Sequence, residues 1–369
     1  MARSVNARAA LGGLALAFTP GFNVANVGAV ADRTAHAYGV GLGVVGLFTT
    51  ALFITHAAFQ VPMGKLCDRF GPRLVGGSGL LVVAGASAAA LLWKEAAFAI
   101  GMRFVAGIGT AASFVAGSDY VRAAIGTPVA QGAYGAASMA GGGLALAFVP
   151  FVASWRAPFS TAAVIAAVGA LLVAIAPRVA ARAAAHAGGS PVLDRRQRPL
   201  AVWHAASFGL SVVVGNWVVT LLERAGDLST HLAGFAGGLV LFLGVFSRPL
   251  GGRFIDRPNV VRASLLCGGV AVAVLALAET AGVAVAAAAA IGFAAGIPFA
   301  PSFAGAQRLR PDAPAAAVGT VNMVAAVTIL VATPLLGLAF SLPGDGRIGF
   351  AAVAVLWCAA SLTKPTISE

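Results

Sequence analysis

The chain has 369 residues, of which 59% are hydrophobic and only 10% are charged, and it contains 47 glycines. Ordinary soluble domains carry about 25% charged residues and about 45–50% apolar ones, so this composition excludes a cytosolic enzyme, a disordered protein and a secreted disulfide scaffold. In a soluble protein the net charge of +12 would suggest a nucleic-acid partner. Its meaning here depends on where the charges lie.

Long apolar segments recur along the whole chain. A helix needs about 20 mostly apolar residues to cross a bilayer, because its backbone polar groups must all be satisfied internally. On that criterion the sequence predicts twelve spans and an all-α integral membrane fold. The first span is too long, and too closely followed by the second, to be a cleavable signal peptide. The spans are predicted near 8–30, 38–63, 74–93, 96–118, 129–152, 157–177, 200–222, 231–252, 260–280, 282–306, 314–340 and 347–363.

One connection is much longer than the others. Residues 178–199 contain five arginines, Arg178, Arg182, Arg195, Arg196 and Arg198, together with Gly188, Gly189 and Pro191. This segment predicts a cytoplasmic linker between two six-helix halves, residues 1–177 and 200–369. No soluble domain is expected beside them.

The distribution of Lys and Arg predicts the orientation, because these residues favour cytoplasmic loops. With both termini inside, cytoplasmic segments hold 17 of the 24 Lys and Arg residues, external loops hold 5, and Arg103 and Arg248 fall within spans. We therefore expect a multi-pass protein of the plasma (cytoplasmic) membrane with both termini cytoplasmic. The positive charge is then mainly an orientation signal beside anionic lipid, and not a nucleic-acid site.

The two halves repeat in sequence. The pattern G-x-x-x-D-R occurs at Gly64 to Arg69 and again, 188 residues later, at Gly252 to Arg257. Further matches link span four to span ten and span five to span eleven, in the same order. They predict two pseudo-symmetric halves and favour a transporter whose halves rock around a midplane site. The further matches include Gly107 with Gly296, Gly135 with Gly319, Ser138 with Asn322, and Pro150 with Pro334.

These motifs resemble those of the major facilitator superfamily. The segment GKLCDRFGPR, from Gly64 to Arg73, resembles the signature between the second and third helices, and GGRFIDR, from Gly251 to Arg257, resembles its weaker echo. Arg103, with the glycines that follow it, resembles the fourth-helix motif. The resemblance covers the whole chain and implies a monomeric secondary transporter. The closest likeness is to nitrate/nitrite and cyanate-type porters, on residues 60–64, 248–252, 132–143 and 155–159.

The loop after the second span is the predicted gate. A carboxylate at Asp68 can accept hydrogen bonds from a neighbouring helix N-terminus, and Gly64 lets helices approach closely. The alternative is that these basic loops only satisfy the positive-inside rule. The resemblance assigns Arg103 a structural or coupling role. The predicted gating residues are Gly64, Asp68, Arg69, Arg73, Arg103, Gly252, Asp256 and Arg257.

Arg248 is the leading candidate for substrate contact. It lies one helical turn deeper than Gly252, and an ionisable residue inside a span suggests function by default. Its guanidinium suits an oxyanion, although the side chain could instead extend to the lipid headgroups. The nitrate-type porters commonly place a second arginine at the position of Gln60, so nitrate itself is doubtful here. Gln60 could donate an amide hydrogen bond or only cross-link helices.

The other candidate binding residues are a histidine, amides and hydroxyls within spans. His56 lies one turn from Gln60 and could accept a coupling proton, or be a neutral packing residue. The amides could line the path or be interhelical hydrogen-bond partners. No Asp or Glu lies mid-span, which disfavours a carboxylate proton relay. These candidates are His56, Asn23, Asn26, Tyr134, Ser138, Asn216 and Asn322.

We therefore expect a secondary transporter that moves a small solute, such as a small anion, by alternating access. The expected partners are a small-molecule substrate and membrane lipids. We expect no enzyme activity, cofactor, metal or nucleic acid. Efflux of amphipathic organic compounds is the alternative, and a non-transporting receptor or assembly factor is a more distant one.

Overall fold

The protein is described by a computed structural model over residues 2–152, 154–179 and 194–365. These ranges contain helices and turns but no β-strand. Most of the predicted linker at 178–199 lies outside the described residues. Twelve principal helices follow the predicted spans in order. They are α1 (Ala2–Ala25), α2 (Leu42–Phe70), α3 (Pro72–Ala89), α4 (Ala96–Ala124), α5 (Pro128–Phe148), α6 (Ala157–Ile175), α7 (Arg198–Arg224), α8 (His231–Phe254), α9 (Pro258–Ala276), α10 (Ala281–Leu309), α11 (Pro314–Leu338) and α12 (Arg347–Ala360).

The last helix is shorter than its span predicts. Eleven of the helices described are long and apolar enough to cross a membrane, whereas α12 has 14 residues. At a rise of 1.5 Å per residue it extends about 21 Å, less than the hydrocarbon core of about 30 Å. The twelfth prediction, at 347–363, is therefore confirmed as a helix but ends earlier than expected, at Ala360.

Proline and glycine set several helix boundaries. Helices α3, α5 and α9 begin at Pro72, Pro128 and Pro258. Proline suits the first position of a helix, because an N–H group there would have no acceptor within the helix. Gly71 separates α2 from α3 with φ +87°, a backbone conformation that favours glycine. The tight turn predicted between the second and third spans thus depends on Gly71.

The contacts divide the chain into two compact units. Unit 1 comprises Met1–Ala130, Ala137–Pro191 and Arg310–Thr320. Unit 2 comprises Gln131–Ala136, Val192–Leu309 and Val321–Glu369. The first turns of α11 thus belong to unit 1, and a short piece of α5 belongs to unit 2. The division into halves at 177 and 200 stays a prediction.

Glycine allows the helices within each unit to pack backbone against backbone. In unit 1, a Cβ atom added at Gly79 of α3 would lie 2.7 Å from the carbonyl oxygen of Gly109 in α4. In unit 2, a Cβ added at Gly251 would meet the carbonyl of Ile297. Side chains of ordinary size would force such helices apart, and small residues at helix interfaces are typical of membrane bundles. Many of the glycines are therefore packing residues.

We predict that Gly109→Val destabilises unit 1. The added side chain would meet the backbone of α3, and overpacking of this kind costs about 1–3 kcal/mol or more. The melting temperature of the detergent-purified protein should fall. Gly85→Val is the control, because a Cβ at Gly85 of α3 has no atom within 4 Å. Equal melting temperatures for the two variants would contradict this account of the packing.

Candidate functional site

Three helices of unit 2 depart from regular α-helical geometry. Helix α7 contains a π-helical segment at Ala205–Leu210. Helix α10 is interrupted between Gly296 and Phe299, where Pro298 cannot donate a backbone hydrogen bond. Helix α8 is likewise interrupted, between Phe242 and Gly244. Broken helices and π segments inside membranes are concentrated at binding sites.

Arg248 lies among these irregular helices. It is only 2% exposed, and its Nη1 donates a hydrogen bond to the carbonyl oxygen of Gly135 at 2.7 Å. Its guanidinium carbon is 4.4 Å from the ring centre of Phe299 and 5.3 Å from that of Phe208. Its Nε has no hydrogen-bond partner. The side chain is thus buried within unit 2.

No carboxylate neutralises Arg248 within the part of the chain that the structure describes. Burying a cation costs several kcal/mol, and cation–π contacts of up to about 2 kcal/mol each, with one charge-assisted hydrogen bond of about 1.5–3 kcal/mol, offset this only in part. The site therefore carries an uncompensated positive charge and an unused donor. The ion pairs described elsewhere join Arg122 with Asp119, Arg308 with Asp256, and Arg310 with Asp312.

His204 belongs to the same site and was not among the residues predicted from the sequence. Its Nε2 lies 3.1 Å from Oδ1 of Asn322. Because an amide oxygen only accepts, Nε2 carries the proton, and the buried Nδ1 is left as an acceptor without a partner. The His204 ring packs 4.7 Å from Phe303 and 5.3 Å from Phe208, measured between ring centres. Like His56, His204 is an ionisable residue within a predicted span, so the sequence did contain a signal for it.

In unit 1, His56, Gln60 and Thr110 form a hydrogen-bond network. The Thr110 hydroxyl donates to the carbonyl of Gly107 at 2.9 Å, so Thr110 Oγ1 must accept from His56 Nδ1 at 3.0 Å. His56 Nε2 is then the acceptor for the Gln60 amide, at 2.7 Å. One of the two amide N–H groups of Gln60 is therefore used, and the Gln60 Oε1 has no hydrogen-bond partner. That Gln60 could donate an amide hydrogen bond to a substrate stays a prediction.

Arg103 is also buried, but its hydrogen bonds are satisfied. Its Nε donates to the carbonyl of Phe48 at 3.2 Å, and its terminal nitrogens donate to the backbone and side-chain oxygens of Asn23 at 2.5 and 3.5 Å. The Asn23 amide in turn donates to the carbonyl of Thr19 at 3.0 Å. Arg103 and Asn23 thus connect α1, α2 and α4, which favours a structural role for both.

The remaining predicted binding residues lie in different surroundings. Asn26 donates to the carbonyl of Pro158 at 2.7 Å, while its own Oδ1 has no partner. Tyr134 is fully buried beside Gly135, the residue that accepts the hydrogen bond from Arg248. Ser138 is half-buried in unit 1 and Asn216 is exposed in unit 2. Unit 2 therefore contains Arg248, Asn322, Tyr134 and Asn216.

Asp68 binds the N-terminus of α11 within unit 1. Its two carboxylate oxygens accept hydrogen bonds from the backbone N–H groups of Ala315 and Ala316, at 3.0 and 2.9 Å. Both donors lie in the first turn of the helix, where the dipole favours a negative charge. A Cβ at Gly64 would lie 2.6 Å from the Ala316 Cα atom, so glycine permits this approach.

Two arginines shape the surroundings of this contact. Arg310 donates to both oxygens of Asp312 at 3.1 and 2.9 Å, and these hydrogen bonds hold the pKa of Asp312 below its ordinary value. The hydrogen bonds between Arg310 and Asp312 stabilise the turn that precedes α11. Arg73 donates through Nε to the carbonyl of Val173 at 3.1 Å and through Nη2 to that of Ala174, at the end of α6.

The repeated motif makes different contacts in unit 2. Asp256 is exposed and forms an ion pair of 2.9 Å with Arg308 of α10, the kind of surface pair that contributes little to stability. Gly252 is buried and Arg257 is exposed. In unit 1, the matching Arg69 is exposed and lies over the ring of Phe70. The two copies of the motif are therefore unequal.

Comparison with known proteins gives consistent results. The family model described as the Major Facilitator Superfamily matches residues 13–361. The human organic anion transporter MFSD10 (TETRAN) has a similar structure, with a TM-score of 0.70 and 19% identity over 98% of each chain. The E. coli fucose:proton symporter FucP has a TM-score of 0.74 and 15% identity over 96% of this chain and 97% of its own. At such identities these structures share the fold alone. No curated protein sequence matches the chain.

We predict that Thr110→Val destabilises the protein by about 1–3 kcal/mol, because it leaves the buried N–H of His56 without an acceptor. The melting temperature in detergent should fall measurably. Thr328→Val is the matched control, since the Thr328 hydroxyl donates only to the Val324 carbonyl in its own helix, at 2.9 Å. If both variants melted at the temperature of the unmodified protein, the proposed hydrogen-bond order of the His56 network would be wrong.

Proposed function

The chain belongs to the major facilitator superfamily, and on that premise we propose that it moves a small anion across the membrane by alternating access. As a member it is a multi-pass membrane transporter and not an enzyme. The predicted all-α fold of two six-helix halves agrees with the family match and with both similar structures. The nature of the substrate is the part of the function that we infer.

The uncompensated charge of Arg248 is the observation that supports an anion. Arg103 and Arg248 are both buried within spans, yet only Arg248 retains an Nε without a partner. An intramembrane cation with an unused donor and no carboxylate partner is costly unless a ligand neutralises it at some stage. We therefore assign a structural role to Arg103 and a role in substrate binding to Arg248.

The surroundings of Arg248 limit how an anion can approach. Aromatic rings lie near the guanidinium, with the centre of Phe299 only 4.4 Å from its central carbon, so they restrict the directions from which a ligand can reach it. A ligand therefore approaches along the edge that carries Nε, where in-plane N–H groups suit an oxyanion. Since one arginine supplies the charge, a monovalent anion fits best. Because Gln60 stands where nitrate-type porters commonly have a second arginine, the proposed site does not use their paired arginines.

Three neighbours complete the proposed site in unit 2. Asn322 holds the His204 ring, and His204 presents Nδ1 as an acceptor for a protonated or hydroxyl-bearing ligand. Tyr134 adjoins the carbonyl that holds Arg248. We keep Asn26 and Asn216 as further candidates, since Asn26 Oδ1 has no partner and Asn216 is exposed.

We further propose a plasma-membrane protein with both termini cytoplasmic that acts as a monomer. The supporting pattern is the concentration of Lys and Arg in segments that this orientation places inside. In this orientation the Asp68 contact with α11 lies on the cytoplasmic side. There it would hold a gate closed and would have to break during each transport cycle.

We predict that Arg248→Gln abolishes anion-dependent stabilisation. A panel of monovalent inorganic and small organic anions, each with the same cation, is screened by thermal shift. At 100 times its Kd a bound anion stabilises the protein by about 2.7 kcal/mol, a clear rise in melting temperature. Flux of the same anion into proteoliposomes should be lost as well.

Arg253→Gln is the matched control for Arg248→Gln. Arg253 is exposed at the end of the same helix, so this variant loses the same charge without touching the site. It should retain both stabilisation and flux. An anion that stabilises Arg248→Gln and the unmodified protein equally would disprove the anion site, and stabilisation by neutral amphipathic compounds alone would favour the efflux alternative.

We predict that Asp68→Asn slows flux several-fold. The substitution removes the charge and one of the two acceptors, and hydrogen bonds to charged groups are each worth about 1.5–3 kcal/mol. The proposed closed state of the gate is thereby weakened. Asp345→Asn, in an exposed turn, is the control and should transport normally. Turnover by Asp68→Asn as fast as that of the control would remove Asp68 from the gate.

A further inference from the structure

Each unit has an apolar groove between its third and sixth helices. In unit 1, α3 and α6 border a groove of about 700 Å³, and in unit 2, α9 and α12 border one of about 960 Å³. The walls consist of exposed aliphatic side chains that no other part of the described chain covers. They include Leu74, Leu81 and Leu171 in unit 1, and Leu266, Val274 and Val355 in unit 2.

An arginine occupies the same position in both grooves. In unit 1, Arg73 in the first turn of α3 donates through Nε to the carbonyl of Val173, near the end of α6. In unit 2, Arg262 near the start of α9 donates through Nε to the carbonyl of Ser361, just after α12, at 2.6 Å. The two pairs are related by the offset of the internal repeat, 188 or 189 residues. The repeat has thus kept both the groove and its basic end.

These arginines retain donors for a ligand. The terminal nitrogens of Arg262 have no hydrogen-bond partner in the described part of the chain. In the unit 1 groove, a second guanidinium is present on Arg178, which is exposed. The lining of each groove contains no Asp or Glu. Each groove is therefore apolar along its length and cationic at one end.

The dimensions match a lipid tail. From Gly71 to Leu81 the lining of the unit 1 groove follows α3 for about 15 Å, at 1.5 Å per residue. One leaflet is half of a hydrocarbon core of about 30 Å. From Asn259 to Leu277 the unit 2 groove follows α9 for about 27 Å, which leaves room for a tail of the same length.

We propose that each groove binds one anionic phospholipid as a specific ligand. An acyl chain lies against the apolar walls, and the phosphate accepts hydrogen bonds from Arg73 and Arg178 in unit 1 and from Arg262 in unit 2. A zwitterionic lipid would fill the same walls but would bring its own positive charge to the arginines. Charge complementarity therefore selects the anionic headgroup.

The full-length protein is purified in a mild detergent, incubated with equal amounts of phosphatidylglycerol and phosphatidylcholine of identical tails, and examined by native mass spectrometry. We expect two phosphatidylglycerol molecules to be retained in preference to phosphatidylcholine. A single Lys or Arg near an anionic membrane contributes about a fivefold effect on binding, so Arg262→Gln and Arg178→Gln should each weaken one of the two binding events by about that factor.

Two further variants test the apolar walls without touching a charge. Ala351→Trp and Ala167→Trp place a large ring in the unit 2 and unit 1 grooves, from positions that are exposed and need no repacking. Each should remove one retained phosphatidylglycerol. Arg253→Gln lines neither groove and is the control, so it should retain both.

Three results would overturn the proposal. They are equal retention of phosphatidylcholine and phosphatidylglycerol, retention of both lipids by the arginine and tryptophan variants, and a dimer that forms through these faces and excludes lipid. Melting temperatures of the variants are measured in parallel. Because Ala351→Trp and Ala167→Trp leave the hydrogen bonds of Arg73 and Arg262 intact, loss of lipid by these variants cannot be ascribed to loss of those bonds.

Discussion

The charge of Arg248 inside a membrane-spanning helix is the feature on which the functional account depends. Hydrocarbon offers no water to solvate a cation, so each buried polar group must find its partners within the protein or in a ligand. The protein supplies Arg248 with one carbonyl and two aromatic rings, and this leaves Nε unpaired. Phe208 lies in the π segment of α7, Phe299 directly follows the break in α10, and Arg248 follows the break in α8.

In two other buried networks of this bundle, every side-chain nitrogen of the arginine or histidine has a hydrogen-bond partner. Arg103 donates from all three guanidinium nitrogens, and His56 uses both ring nitrogens. Both networks lie among helices that glycine brings into close contact, where hydrogen bonds between helices hold the bundle together. The contrast between these networks and Arg248 is what supports our proposal of structural roles for the former and a ligand role for the latter. Buried charge alone does not distinguish the two.

Much of the fold could be predicted from the sequence, because hydropathy determines which segments can cross a bilayer and the repeat at Gly64 and Gly252 relates the two halves. The close approach at Gly64 and the contact of Asp68 with a helix N-terminus also followed from residue chemistry. The partners of individual side chains did not. The hydrogen bond from the Gln60 amide to His56 depends on the Thr110 hydroxyl of α4. The site around His204 depends on the π segment of α7 and on the break in α10 at Pro298. Periodicity within an apolar span contains no signal for either.

The most direct test of the central claim is a structure of the protein with its most stabilising anion bound, determined at a resolution that separates the ligand from the side chains. The account predicts that the anion lies within hydrogen-bond distance of the Arg248 Nε, in the plane of the guanidinium and beside the rings of Phe208 and Phe299. An anion bound elsewhere, with the Nε of Arg248 still unpaired, would contradict it.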